Sequence, residues 1–188
     1  MTERLVIRSV RSLARSVDDL SHNPAVYGAL LRDGDRTLAD WGYYDRNTRR
    51  AFQIAGHTLI YIGSAPTRGL RRRLCDHIRG DSRRSSFRRT LGVLLAPEMA
   101  LTAHCTSGKS YFHFGDGEAT ISAWMEDRML FAFRESTDPV DEERLLIRRY
   151  NPALNIKEQE NRLFSQRLKA MRQLVVQGLL SVPTTSRR

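Results

Sequence analysis

The chain lacks the marks of several broad protein classes. It has only two cysteines in 188 residues, Cys75 and Cys105, too few for a disulfide scaffold and without the paired spacing of a zinc site. Cys75 is expected to pack as a small apolar residue. No apolar run approaches the roughly 20 residues of a membrane span. Charges occur throughout the N-terminal stretch, where a signal peptide would have its apolar region. The expected setting is a reducing cytoplasm, with no membrane partner. There is no serine-hydrolase elbow, and Gly63 to Gly69 lacks the Gly-Lys-Ser/Thr ending of a P-loop. Acidic residues are also in deficit, with 21 Asp and Glu against 31 Lys and Arg and a net charge of +10. A polyanion is the first partner to consider.

The excess charge is concentrated. Between Arg68 and Arg89 nine arginines face only Asp76 and Asp81, which accounts for seven of the ten excess charges. Arg71, Arg72, Arg83, Arg84, Arg88 and Arg89, with the hydroxyl of Ser86, form a set suited to holding a phosphate backbone without reading bases.

The stretch from Leu59 to His77 organises the rest. Thr58 to Ile62 has the β-branched, aromatic and aliphatic content of a buried strand, and it stops at Gly63. From Leu70 the period changes, because Leu70, Leu74 and Ile78 make one helical stripe. Arg73 and His77 are four residues apart on a neighbouring face, near the strand end that carries Tyr61. Far downstream, Glu143-Arg-Leu-Leu-Ile-Arg-Arg-Tyr-Asn-Pro-Ala-Leu-Asn155 follows a helix start rich in acids, as the helix dipole favours.

Elsewhere, Val6, Val10, Leu13, Val17 and Leu20 have helical spacing and predict an N-terminal helix. Pro24 predicts the first turn of a short second helix carrying Tyr27, Leu30 and Leu31. Trp41 to Tyr44 reads as an aromatic strand that would pair with the Tyr61 strand across the polar stretch 45–50. Further strands are expected at Ser110 to Phe114 and Leu130 to Arg134. Helices are expected over Glu118 to Met125, from Asp138 to Pro152 with Leu145, Leu146 and Tyr150 inward, and over Asn161 to Gln177. A disordered basic tail, Pro183 to Arg188, is expected at the end.

The two motif segments together resemble the GIY-YIG nuclease family. Tyr61-Ile62-Gly63 resembles its second signature, Arg73 with His77 its helix pair, Glu143 its acidic residue and Asn155 its closing asparagine. Ser86-Phe-Arg-Arg-Thr-Leu-Gly92 resembles a segment that follows the catalytic helix in one subgroup. For the first signature, Gly42-Tyr43-Tyr44 is the candidate with Tyr44 as its tyrosine, and Tyr27 in Ala-Val-Tyr-Gly is the rival. The resemblance implies an α+β fold, a small antiparallel sheet of about three strands flanked by helices. It would be organised as a helical extension over 1–36, a nuclease domain over 37–157 and a terminal helix with its tail over 158–188.

It also implies an endonuclease that hydrolyses nucleic acid, DNA first, as a monomer or homodimer. Glu143 would hold Mg²⁺ or Mn²⁺, since one carboxylate with waters and phosphate oxygens suits a hard cation. Arg73 would bind the scissile phosphate, Tyr61 or Tyr44 would orient or deprotonate water, and His77 would shuttle a proton or donate to phosphate. Asn155 would fix the loop beside the site. The alternative is a catalytically inactive DNA- or RNA-binding module on the same fold.

Overall fold

A computed structural model describes residues 4–44, 50–105, 111–156 and 162–177. The polar stretch 45–49 and the Pro183 to Arg188 tail lie outside the described residues. In chain order the elements are β1 (Val6–Ser9), α1 (Val10–Ser16), a 3-10 turn (Val17–Asp19), β2 (Ala25–Leu31), α2 (Gly34–Asp40), β3 (Gln53–Ile54) and β4 (His57–Ala65). They continue with α3 (Gly69–Ile78), α4 (Ser86–Met99), β5 (His104–Cys105), β6 (Phe112–His113), α5 (Gly117–Arg128), β7 (Met129–Glu135), α6 (Pro139–Tyr150) and α7 (Arg162–Val176).

The main sheet is antiparallel, in the order β1-β7-β2-β4-β3. Five described strands replace the expected three or so. Two come from the stretch expected to be a helical extension. Val6–Ser9 is an edge strand on β7, and the helix starts only at Val10, where the Ser9 hydroxyl accepts from the Ser12 N–H as an N-cap. The Tyr27 segment is a strand at the sheet centre, between β4 and β7. All seven residues of Ala25–Leu31 are buried, so neither face is polar and the run shows no alternation from which a strand could be read. Trp41 to Tyr44, expected as a strand, instead follows α2 as a turn, with the Tyr43 N–H bonded to the Leu38 carbonyl. The hairpin partner of β4 is the short β3.

The larger core lies on the sheet face covered by α1, α3, α4, α5 and α7. A smaller one, Val26, Leu30, Leu59, Ile62, Leu130, Ala132 and Ile147, lies on the opposite face under α6. On α6 it is Ile147 that is buried, while Leu145 is 66 % exposed, so the apolar stripe runs through Ile147 instead of Leu145. Burying the two faces supplies the main stabilisation of the sheet.

Candidate active site

Antiparallel pairing sets Tyr27 opposite Gly63 on β4, and Tyr61 opposite Ala29. The two rings are 6.3 Å apart. A Cβ at Gly63 would lie 2.4 Å from the Tyr27 hydroxyl and 3.0 Å from the Tyr61 ring, so only glycine leaves room for both phenols. Helix α3 begins at Gly69, where φ is +67° and a Cβ would collide with the His22 backbone at 2.1 Å. The Leu70 and Arg71 N–H groups donate to the Asn23 and Ser21 carbonyls, which docks the helix start on the loop before β2.

This docking directs Arg73 and His77 at Tyr27. Arg73 Nε donates to the Tyr27 hydroxyl at 3.0 Å, and His77 Nε2 is 2.7 Å from the same oxygen. His77 Nδ1 is 2.7 Å from the Ser85 hydroxyl, whose oxygen also caps α4 by accepting from the Arg88 N–H. One arrangement satisfies both ring nitrogens. The Ser85 O–H donates to Nδ1, Nε2–H donates to the Tyr27 oxygen, and the Tyr27 O–H is left free to turn toward Tyr61.

Burial pushes the Tyr27 phenol well above its usual 10, and Tyr61 adds to the rise while Arg73 opposes it. Burial also raises Tyr61, the neighbouring Glu143 adds to this, and Arg73 and the Tyr27 hydrogen bond pull it back. Both phenols are therefore held neutral in the free protein, Tyr27 the more strongly. His77 is completely buried, and desolvation together with Arg73 and Arg88 holds it well below 6.5. It is neutral and sealed from solvent, so it cannot reach a phosphate or shuttle protons to water. It positions Tyr27.

Tyr61, Glu143 and Asn155 line one open cleft of about 410 Å³. Glu143, in the second turn of α6, accepts a hydrogen bond from the Ser64 hydroxyl at the end of β4. Its neighbour Glu142 is engaged by Arg134 instead. Asn155 acts as one residue of a neighbouring strand. Its Oδ1 accepts from the Ile62 N–H at 2.9 Å and its Nδ2 donates to the Ile62 carbonyl at 2.8 Å. With the Leu154 N–H on the Ile60 carbonyl, this closes the edge of β4 that β3 leaves open.

Tyr44 is not brought to this cluster. Its hydroxyl donates to Asp35 at 2.8 Å, and burial and that bond push it up to about 12. Tyr27 occupies the position beside Tyr61 for which Tyr44 was the first candidate, because Tyr27, and not Tyr44, is on a strand paired with β4.

The basic set divides in the same way. Arg72 and Arg84 line a second cleft with Arg73, Ser64, Thr67 and Arg68. Ser86 and Arg89 line the Tyr61 cleft. Arg71 is paired with Asp18, and Arg83 with Asp81. Arg88, expected on phosphate, is 0 % exposed. It donates to both Glu118 and the His77 carbonyl and ties α4 to α5 and α3. An arginine on the inner face of an amphipathic helix carries no sequence mark that separates it from its exposed neighbours. Arg172 of α7 was missed altogether, although it lines the cleft beside Tyr61 and Glu143. No motif marks it.

Among the described residues no three His, Cys, Asp or Glu side chains gather around one point. Glu143 is the carboxylate lining the Tyr61 cleft, and Ser64, which lines the Arg73 cleft, donates to it. That set fits a hard cation that keeps most of its waters, such as Mg²⁺ or Mn²⁺. No described helix is long and apolar enough to cross a membrane.

A family model described as the GIY-YIG catalytic domain matches residues 41–174. Comparison with curated proteins and with solved structures returns no match.

Proposed function

Starting from a chain that belongs to the GIY-YIG catalytic-domain family, a family of nucleases, we propose that it is a metal-dependent endonuclease that hydrolyses DNA phosphodiester bonds. The observation that carries this reading is that Tyr61 and Glu143 line one cleft and Arg73 lines the next, bridged by Ser64, which lines the Arg73 cleft and donates to Glu143, with Tyr27 buried behind Arg73.

Arg73 binds the scissile phosphate. Its Nε is held by Tyr27, which fixes its orientation and leaves its other N–H donors for phosphate oxygens. Tyr61 orients the attacking water; burial keeps it a neutral phenol in the free protein, so it would take the water's proton only after releasing its own to solvent, once Arg73, the metal and the substrate have lowered its pKa. The water oxygen bonds to phosphorus as the bond to the leaving sugar oxygen breaks. Tyr27 accepts from Arg73 and lies beside Tyr61, which holds both in place and favours the phenolate form of Tyr61. Glu143 would hold the divalent metal, which when bound supplies positive charge for the phosphate and leaving oxygens. Asn155 keeps Ile62, and so Tyr61 beside it, in register. The cleft with Arg72 and Arg84 continues the positive surface beyond Arg73 for the flanking backbone.

The test is cleavage of supercoiled duplex and single-stranded DNA by wild type and Glu143→Ala, with Mg²⁺, with Mn²⁺ and with chelator. Metal-dependent cutting that is lost in the variant while binding persists is the expected result. Binding without cutting by wild type in every condition would replace this reading with that of an inactive binding module.

A further inference from the structure

Beside Tyr61 the same cleft contains two cations with no chemical part in the reaction outlined above. Arg89 is nearly buried. Its Nη1 donates to the Ser82 and Arg83 carbonyls at 2.6 and 3.1 Å, and its guanidinium lies 5.1 Å from the Tyr111 ring. Its Nε is buried with no hydrogen-bond partner. Arg172, half-buried on α7, lines the same cleft and makes no hydrogen bond or ion pair with any described residue. Burial lowers the affinity of both guanidinium groups for their protons, and Arg172 and Arg73 lower that of Arg89 further. Arginine nevertheless stays charged.

Two neighbouring cations taken out of water, one with an unused buried donor, are costly to hold in the free protein. An anion between them would satisfy the donor and remove the repulsion. The Ser86 hydroxyl, in the first turn of α4, lines the same space. We infer that Arg89 and Arg172, with Ser86, bind a second phosphate of the substrate strand, next to the scissile one on the Tyr61 side of the cleft. This rests on the nuclease reading of that cleft, and it makes α7 part of the substrate site. Arg172 binds away from the reacting atoms and fixes where along the strand the scissile phosphate comes to rest.

The experiment compares wild type with Arg172→Gln, because Arg172 bonds nothing in the described fold and its loss leaves the fold intact by thermal melting. Arg89→Gln serves as the second variant, with its melt recorded because Arg89 also holds two loop carbonyls. Affinity for a short DNA duplex is measured in chelator across a salt series, and single-turnover cutting with metal. Both are repeated with one neutral methylphosphonate link moved stepwise along one strand. Loss of a charge-assisted contact predicts roughly 10-fold weaker binding and a salt slope shallower by about 0.9. At one link beside the cut, the neutral group should weaken wild type by at least that factor and weaken Arg172→Gln clearly less, because only Arg89 and Ser86 then remain on that phosphate.

Unaltered affinity and salt slope, or losses that multiply at every link, would overturn the inference. If wild type cuts and Arg172→Gln matches it throughout, only the second phosphate site fails. If wild type never cuts but Arg172→Gln loses affinity and slope as stated, the nuclease reading fails and the phosphate site stands.

Discussion

Replacing Gly63 by alanine tests whether the space between the two phenols is as tight as the sheet register requires. The added methyl would lie 2.4 Å from the Tyr27 hydroxyl and 2.5 Å from the ring carbon that carries it. Tyr27 cannot retreat, because Arg73 and His77 hold its oxygen and its ring is packed against Phe131 and His77. Overpacking of a close-packed site costs about 1–3 kcal/mol. A loss near 2 kcal/mol lowers the Tm of a chain this size by roughly 4–8 °C. The same displacement moves the Tyr27 and Tyr61 oxygens, and a shift of about 1 Å costs on the order of 100-fold in rate. Gly28→Ala is the matched comparison. It lies on the partner strand, but its Cβ would meet the flexible end of Leu59 at 2.8 Å and, at ordinary contact distance, the Tyr61 carbonyl at 3.4 Å, so its cost should stay under about 1 kcal/mol with cleavage nearly unchanged. Thermal melts and single-turnover rates of the two variants decide it. If Gly63→Ala melts and cuts like Gly28→Ala, the two tyrosines are not locked together.

Tyr27→Phe should remove the acceptor of Arg73 and the partner of His77, costing about 1–3 kcal/mol in stability and on the order of 100-fold in cleavage, whereas Tyr44→Phe should cut within twofold of wild type. Comparable rate losses in both would return Tyr44 to the site. His77, held neutral in the fold, makes stability fall at low pH: below about 6.5 the unfolded chain takes up a proton at this residue that the folded chain refuses, so unfolding is favoured by up to about 1.4 kcal/mol per pH unit. Urea midpoints of wild type and His77→Gln between pH 7.5 and 5.5 check this, and equal pH slopes in the two would show that His77 is not the group responsible.

The parts of the site that were legible in the sequence are those whose geometry is local. The strand carrying Tyr61, the helix carrying Arg73 and the acid-led helix carrying Glu143 each declare themselves by period or by end signals, and each is present: β4, α3 and α6. Asn155 follows from its short distance along the chain from α6. That Tyr27 would lie beside Tyr61 was not legible, because it depends on which segment pairs with β4. Gly42-Tyr43-Tyr44 has more β-favouring content than its surroundings. Yet Ala25–Leu31, apolar on both faces, takes the central place, and it does so through pairings with residues as distant as Glu135. Arg88 and Arg172 were misplaced or missed for a related reason. Whether an arginine faces Glu118, a cleft or solvent is decided by helices far away in sequence, and nothing beside it in the chain records the outcome.

The central place of β2 also bears on how the protein is made. As the chain leaves the ribosome, Tyr27 emerges early, but one of its two strand neighbours begins only at Met129, and Glu143 and Asn155 come later still. Long-range pairing of this kind forms late. A polypeptide that stops before α6 would expose basic surface without the acid that the proposed chemistry needs. On the nuclease reading, the site is therefore completed only once β7 and α6 have been made and docked, whatever part of it has formed before.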